Sequence, residues 1–153
     1  MKKSKIIFGL LLVAGVALSG AWLYYKKMER SEAERDNMIA VGKCDFTIEA
    51  VSDEEQRKKG LSGRESLCSN CGMLFLFEKE DNYSFWMKVM RFPIDIIWVK
   101  DDEVVDINQN IDYNSKSIYS PREKINKVLE LNANDVSRCE IKIGNKLTQK
   151  NVD

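Results

Sequence analysis

Apolar positions along the chain fall into one long run followed by a series of short ones. The long run, Ile6 to Tyr25, follows Lys2, Lys3 and Lys5. As a helix at about 1.5 Å per residue it matches a hydrocarbon core of about 30 Å, with Trp22, Tyr24 and Tyr25 at the far interface. The pattern predicts an N-terminal transmembrane helix within residues 1–25. The competing reading is a cleaved signal peptide, with Ala17 and Ser19 as the small residues before the cut. The leading lysines orient the domain outside the cytoplasm, although Lys26, Lys27 and Arg30 weaken the bias. Both readings export the rest of the chain. Residues 26–41 open with a densely charged stretch that lacks an apolar face and reads as a linker.

From residue 42 to about 150 the runs shorten and their period drops to two. Cys44 to Val51 places Phe46, Ile48 and Ala50 on one side and Thr47 and Glu49 on the other, a half-buried strand. Ser52 and Glu55 match a capping box and Gly60 a helix stop, which predicts one short helix over Asp53 to Lys59. Residues 72–99 then hold seven of the fourteen aromatic residues in three short apolar runs, a composition that favours strands over helices. Strands are expected at Gly72–Phe77, Tyr83–Met87, Ile94–Lys100 and Glu103–Asn108, the last two joined as a hairpin through Asp101-Asp102. Further strands are expected at Lys127–Leu131, Glu140–Ile143 and Lys146–Thr148, with Gly144-Asn145 as a hairpin turn. Between them, residues 109–126 form the longest loop, and loops of that length in compact domains are usually functional or mobile. The domain is therefore mainly β.

Charge changes the picture twice. The net charge of zero hides an asymmetry: residues 1–30 carry six Lys/Arg and one acid, leaving 18 basic and 23 acidic residues beyond them. An acidic domain argues against nucleic acid as a partner. The chain has no histidine. That excludes histidine-based triads, a histidine general base and any zinc site that uses imidazole.

The motifs Arg57-x-x-Gly60-Leu61, Arg64, Gly72-Met73-Leu74-Phe75-x-Phe77, Trp86-Met87-Lys88, Pro93-Ile94-Asp95 and Val128-Leu129-Glu130-Leu131, in this order and spacing, resemble the family called domain of unknown function 192. The resemblance covers Phe46 to about Leu147. It implies a compact, jelly-roll-like β-sandwich or barrel, often behind an exported leader, with no assigned activity. Two turns depart from the pattern, with Glu103 and Asn134 where glycine is usual. Asparagine tolerates φ > 0 and glutamate does not, so the first hairpin needs another turn type. The Cys68/Cys71 pair lies outside the shared motifs.

Four cysteines in an exported domain predict two disulfides. Of three pairings, Cys68 with Cys71 closes a tight loop, and Cys44 with Cys139 staples the first strand to the penultimate one. A redox CxxC and an all-cysteine zinc site are the sharper alternatives; the first lacks a following helix start and the second a second CxxC. Met73, Met87 and Met90 would suit Cu(I), but methionine among aromatic strands is ordinary core filler. No metal or cofactor is expected. Arg57, Arg64, Asp95 and Glu130 are charges embedded in apolar sequence and must be paired. They form either a structural ion-pair network or, with Trp86 and the 109–126 loop, a binding site for a small anionic or carbohydrate-like ligand or a protein partner. The enzyme alternatives are a hydrolase using Asp95 and Glu130 as acid and base and a thiol or metal protein using Cys68 and Cys71. A third possibility is a module that docks a membrane complex. No catalytic constellation stands out, and the motif residues exceed what packing needs, which favours binding over catalysis.

Overall fold

The computed structural model describes residues 37–150 together with Trp22. The expected anchor and the charged stretch as far as residue 36, Trp22 apart, lie outside the described residues. Among those described, no helix is long and apolar enough to cross a membrane. The elements run β1 Met38–Val41, β2 Cys44–Val51, α1 Glu54–Lys59, β3 Cys71–Asp81, β4 Phe85–Trp86, β5 Ile94–Lys100, β6 Glu103–Ile111, β7 Ile118–Tyr119, β8 Ile125–Asn132, α2 Asp135–Arg138 and β9 Thr148–Gln149. The fold is mainly β with two short helices, one more than the sequence pattern predicts. It also starts earlier. Residues 38–41, assigned above to the linker, alternate in burial as β1 and turn through Gly42 (φ 61°) into β2.

Seven strands form one sheet in the order β6-β5-β8-β3-β2-β1-β9, while β4 and β7 pair as a separate ribbon. Neighbours are antiparallel except β2 and β3, whose parallel pairing requires a crossover. Helix α1 and the loop after it supply that crossover. Asp53, not Ser52, caps α1, accepting the Gln56 N–H at 2.8 Å, so the helix starts one residue later than expected. It stops at Gly60, whose φ of 49° suits glycine.

In place of a two-sheet sandwich, the single sheet curls into a half-barrel. The C-terminal segment ties its two edges: Thr148 pairs with Ala40 of β1, while Lys146 bridges to Glu103 at the start of β6. The Val104 N–H donates to the Asn145 carbonyl (2.9 Å), and the Leu147 N–H donates to that of Asp102 (2.7 Å). Residues 140–143 are therefore not a strand. Gly144-Asn145 does make a turn, but it returns the chain to the sheet edges and not onto itself.

Both faces are covered, which explains why Ile94 to Val99 in β5 are buried without alternation. Phe46, Ile48, Ile97, Val99, Leu129 and Leu131 point into the curl and meet Val136, Ile141 and Leu147. Phe75, Ile94, Ile96, Trp98 and Val128 point outwards and meet Leu61, Met87 and Met90. Burying a side chain such as Phe46 or Trp98 completely contributes about 2–3 kcal/mol, so each face is a core in its own right. The outer core is where the sheet and its covering segments part.

Candidate functional site

In β3 the alternation sends Met73, Phe75 and Phe77 to the outer face, and Leu74 to the inner one. Antiparallel pairing sets Glu130 of β8 beside Met73 and Val128 beside Phe75, so Glu130 also faces outwards. There it lines the floor of a cavity of about 570 Å³. Leu61, Phe75, Phe77, Phe85 and Met90 form the walls, and Arg57, Lys58, Lys59, Lys79 and Trp86 reach the mouth. Glu130 is 6% exposed, and its Oε2 atom has no hydrogen-bond partner.

The walls are held by ring contacts. Phe85 meets Phe75 edge-on at 4.9 Å and Trp98 at 5.6 Å, locking β4 over the sheet. Phe77 stacks on Tyr83 at 3.6 Å, and the Arg57 guanidinium lies 5.1 Å from the Phe77 ring centre. Arg57 also donates to the carbonyls of Ser52 and of Leu76, the latter at 3.0 Å. Those bonds fix a cation at the rim.

Val89 marks a strained point beside the cavity. It is a β-branched residue at φ 62°, a left-handed conformation that such residues rarely adopt. Its turn is clipped to the loop after α1: the Gly63 N–H donates to the Val89 carbonyl (2.9 Å) and the Ser62 hydroxyl to that of Lys88 (3.1 Å).

Burial pushes the Glu130 carboxyl up to about 8, with the Arg64 charge pulling the other way. The acid is therefore neutral over most of the physiological range. Arg64 itself is committed elsewhere. Its two terminal nitrogens meet the two Glu49 oxygens at 2.8 Å each, holding Glu49 below the usual carboxylate range and raising Arg64.

A buried, unpartnered acid beneath an aromatic-walled cavity sits on the motif residues Gly72 to Phe77 and Val128 to Leu131. Residues 38–149 match the family DUF192, described as "Uncharacterized ACR, COG1430". The chain belongs to this family. None of the curated proteins matches it. Four solved chains resemble it in structure. One, a candidate transcription regulator from Sinorhizobium meliloti 1021, is 31% identical over 72% of this chain and 89% of its own, with a TM-score of 0.68. Another, a protein of unknown function from Novosphingobium aromaticivorans DSM 12444, is 29% identical over 72% of this chain and 83% of its own, also at 0.68.

Within this DUF192 domain the five sequence-nominated residues do not all converge. Arg57, Trp86 and Glu130 share the cavity, and Arg64 acts on Glu130 only through its charge. Asp95 belongs to the inner face. Its Oδ1 accepts the Asn110 N–H at 2.7 Å and its Oδ2 the Val136 N–H at 2.9 Å. It thus caps α2 from across the sheet, where Asn134 (φ 72°) makes no side-chain cap of its own. Burial raises the Asp95 carboxyl and those backbone donors lower it. An acid/base pair of Asp95 and Glu130 is overturned, because the two side chains leave opposite faces.

The 109–126 loop likewise misses the cavity. It contributes β7, which backs β4 through the Phe85–Tyr119 and Trp86–Ile118 pairs, but lines nothing. Sequence reasoning passed over Phe75, Phe77, Phe85 and Lys79 as core and surface. The available signal was Lys58-Lys59 just ahead of Gly60, next to a spine with more aromatics than a small core needs.

Both expected disulfides are present, Cys44–Cys139 and Cys68–Cys71. With all four thiols paired, no cysteine of this DUF192 domain is left to hold zinc.

Proposed function

We propose that the domain binds a small organic ligand in the cavity above Glu130. One observation carries the reading. Leaving a buried polar atom unpartnered costs about 1–3 kcal/mol, and here the orphan Oε2 belongs to a buried glutamate in the lining of a cavity of ligand size. A ligand toward which the Glu130 carboxyl turns this oxygen relieves the cost on binding. The clipped, strained turn at Val89 supports the same site, since strain of that kind clusters around ligand clamps.

The disulfides point to an oxidising, extracytoplasmic compartment. In this reading residues 1–25 tether the domain to the membrane, or are cleaved and release it, and the cavity samples molecules outside the cytoplasm. A nucleic-acid role, which the name of the Sinorhizobium neighbour would carry, is disfavoured by the acidic balance beyond residue 30. Protein-detected NMR with a fragment library tests the proposal. Cavity binders should shift the amides of Gly60, Phe75 and Phe85 in the wild type and lose at least tenfold in affinity in Glu130→Leu. Fragments that bind elsewhere only, or that ignore this substitution, would sink the reading.

A further inference from the structure

The mouth of the cavity is positive although the domain is not. Arg57, Lys58, Lys59 and Lys79 stand there against Glu54 and Glu78. One of those carboxylates is already spent: Glu54 pairs with Lys58 at 2.6 Å. Arg57 is fixed by two carbonyls and a ring, but its charge remains. Among the described residues Lys79 and Lys59 have no ion-pair partner within 4.0 Å, although Lys59 lends its field to Glu49. Beyond residue 30 acids outnumber bases 23 to 18, so this cluster runs against the composition. Local positive potential over an aromatic-walled pocket selects anions by raising their concentration at the entrance.

The floor sets the other end. Glu130 offers one orphan oxygen, and the Arg64 charge acting on it disfavours a second cation at that depth. Between floor and mouth lie aromatic surfaces, with Trp86 58% exposed at the lip, and ring ligands pack on such faces, aromatic ones by stacking and sugars through the C–H bonds of one ring face. We infer that the ligand is a small ring-bearing organic anion, entering with a neutral hydroxyl or carbonyl group toward Glu130 and leaving its phosphate or carboxylate against Lys59 and Lys79. Acidic or phosphorylated monosaccharides are the simplest molecules of that class. The inference rests on the binding site proposed above and adds the ligand's polarity and orientation.

Ring compounds in matched anionic, neutral and cationic forms distinguish the two levels, read by the same amide shifts of Gly60, Phe75 and Phe85. Glucose 6-phosphate, glucose and glucosamine are the first such set within a library balanced for charge. Anions should predominate among cavity binders, and their affinity should fall as salt is added. In Lys59→Ala/Lys79→Ala, both changes being on exposed side chains, anionic binders should weaken about tenfold as two charge-assisted contacts are lost, while neutral ones keep their affinity. Cations binding as well as anions, or anions that ignore the double substitution, would overturn the inference and leave the cavity a binding site. A library in which no compound of any charge reaches the cavity would take down both.

Discussion

Asp95 and Glu130 stand on neighbouring strands one residue out of register. Asp95 pairs with Leu131 and Glu130 with Ile96, so their side chains leave opposite faces of the sheet. The two buried acids therefore have separate tasks. Asp95 receives backbone donors from β6 and from α2 itself and holds α2 in place, whereas Glu130 lines the cavity with an oxygen unpartnered.

Asp95→Ala should be costly for folding alone. It orphans the N–H groups of Asn110 and Val136, and losing hydrogen bonds to a buried carboxylate costs about 3 kcal/mol. Asp95→Asn keeps one acceptor and should lose about half as much. Urea denaturation measures both. Ligands of the outer cavity should bind the folded variant unchanged; a loss of stability below about 1 kcal/mol would show that Asp95 is not the anchor of α2.

Gly72→Ala probes how tightly β3 is seated between its neighbours. A Cβ at Gly72 would come 2.7 Å from Leu131 Cδ2, 3.0 Å from Ile48 Cδ1 and 3.1 Å from the Glu130 carbonyl oxygen. Side chains can yield but that carbonyl belongs to the ladder, so the variant should lose about 2 kcal/mol. The shift should also reach the cavity floor through Glu130. A fully stable Gly72→Ala would mean that β3 and β8 slide apart more readily than their pairing implies.

These two sites mark how far the sequence could be read. Local signals carried well: Gly60 stops α1, Asp101-Asp102 turns the hairpin with Asp101 at φ 54°, and Asn134 takes the left-handed conformation. Glu103 needs no positive φ, because that position falls on Asp101. The face of Glu130 was not legible, because Val128 to Leu131 are all buried and a strand covered on both sides shows no alternation. The end of the chain misled for another reason. Residues 141–147 carry the apolar spacing of strands, but Ile141 and Leu147 plug the curl as irregular chain, a placement only the curled sheet defines.

The two disulfides should differ in worth. Cys44–Cys139 joins residues 95 apart and Cys68–Cys71 residues three apart, so loop-closure entropy gives about 4.5 kcal/mol for the first and about 2 kcal/mol for the second. Denaturation of the paired variants Cys44→Ala/Cys139→Ala and Cys68→Ala/Cys71→Ala should reproduce that order. Mild reduction should follow the opposite one, because Cys68 is exposed while Cys139 is fully buried. Equal losses would mean that the unfolded chain is already compact around the long loop.

Glu130 should make stability fall as pH rises. Its carboxyl titrates near 8 when folded and near the ordinary 4.5 when unfolded. Between those values the folded chain holds a proton that the unfolded chain has released, so unfolding is favoured by up to about 1.4 kcal/mol per pH unit. Below 4.5 both states are protonated and the penalty vanishes; above 8 both are ionised and it is complete. Glu130→Gln removes it. The stability of this variant relative to wild type should therefore climb from pH 5 to pH 8, with the raised Asp95 carboxyl, present in both proteins, cancelling in the difference. Arg64→Ala deletes the charge that opposes the shift and should carry the fall to still higher pH. A difference that stays flat from pH 5 to pH 8 would mean that water or a counter-charge already serves Oε2, and a ligand would then have no orphan atom left to satisfy.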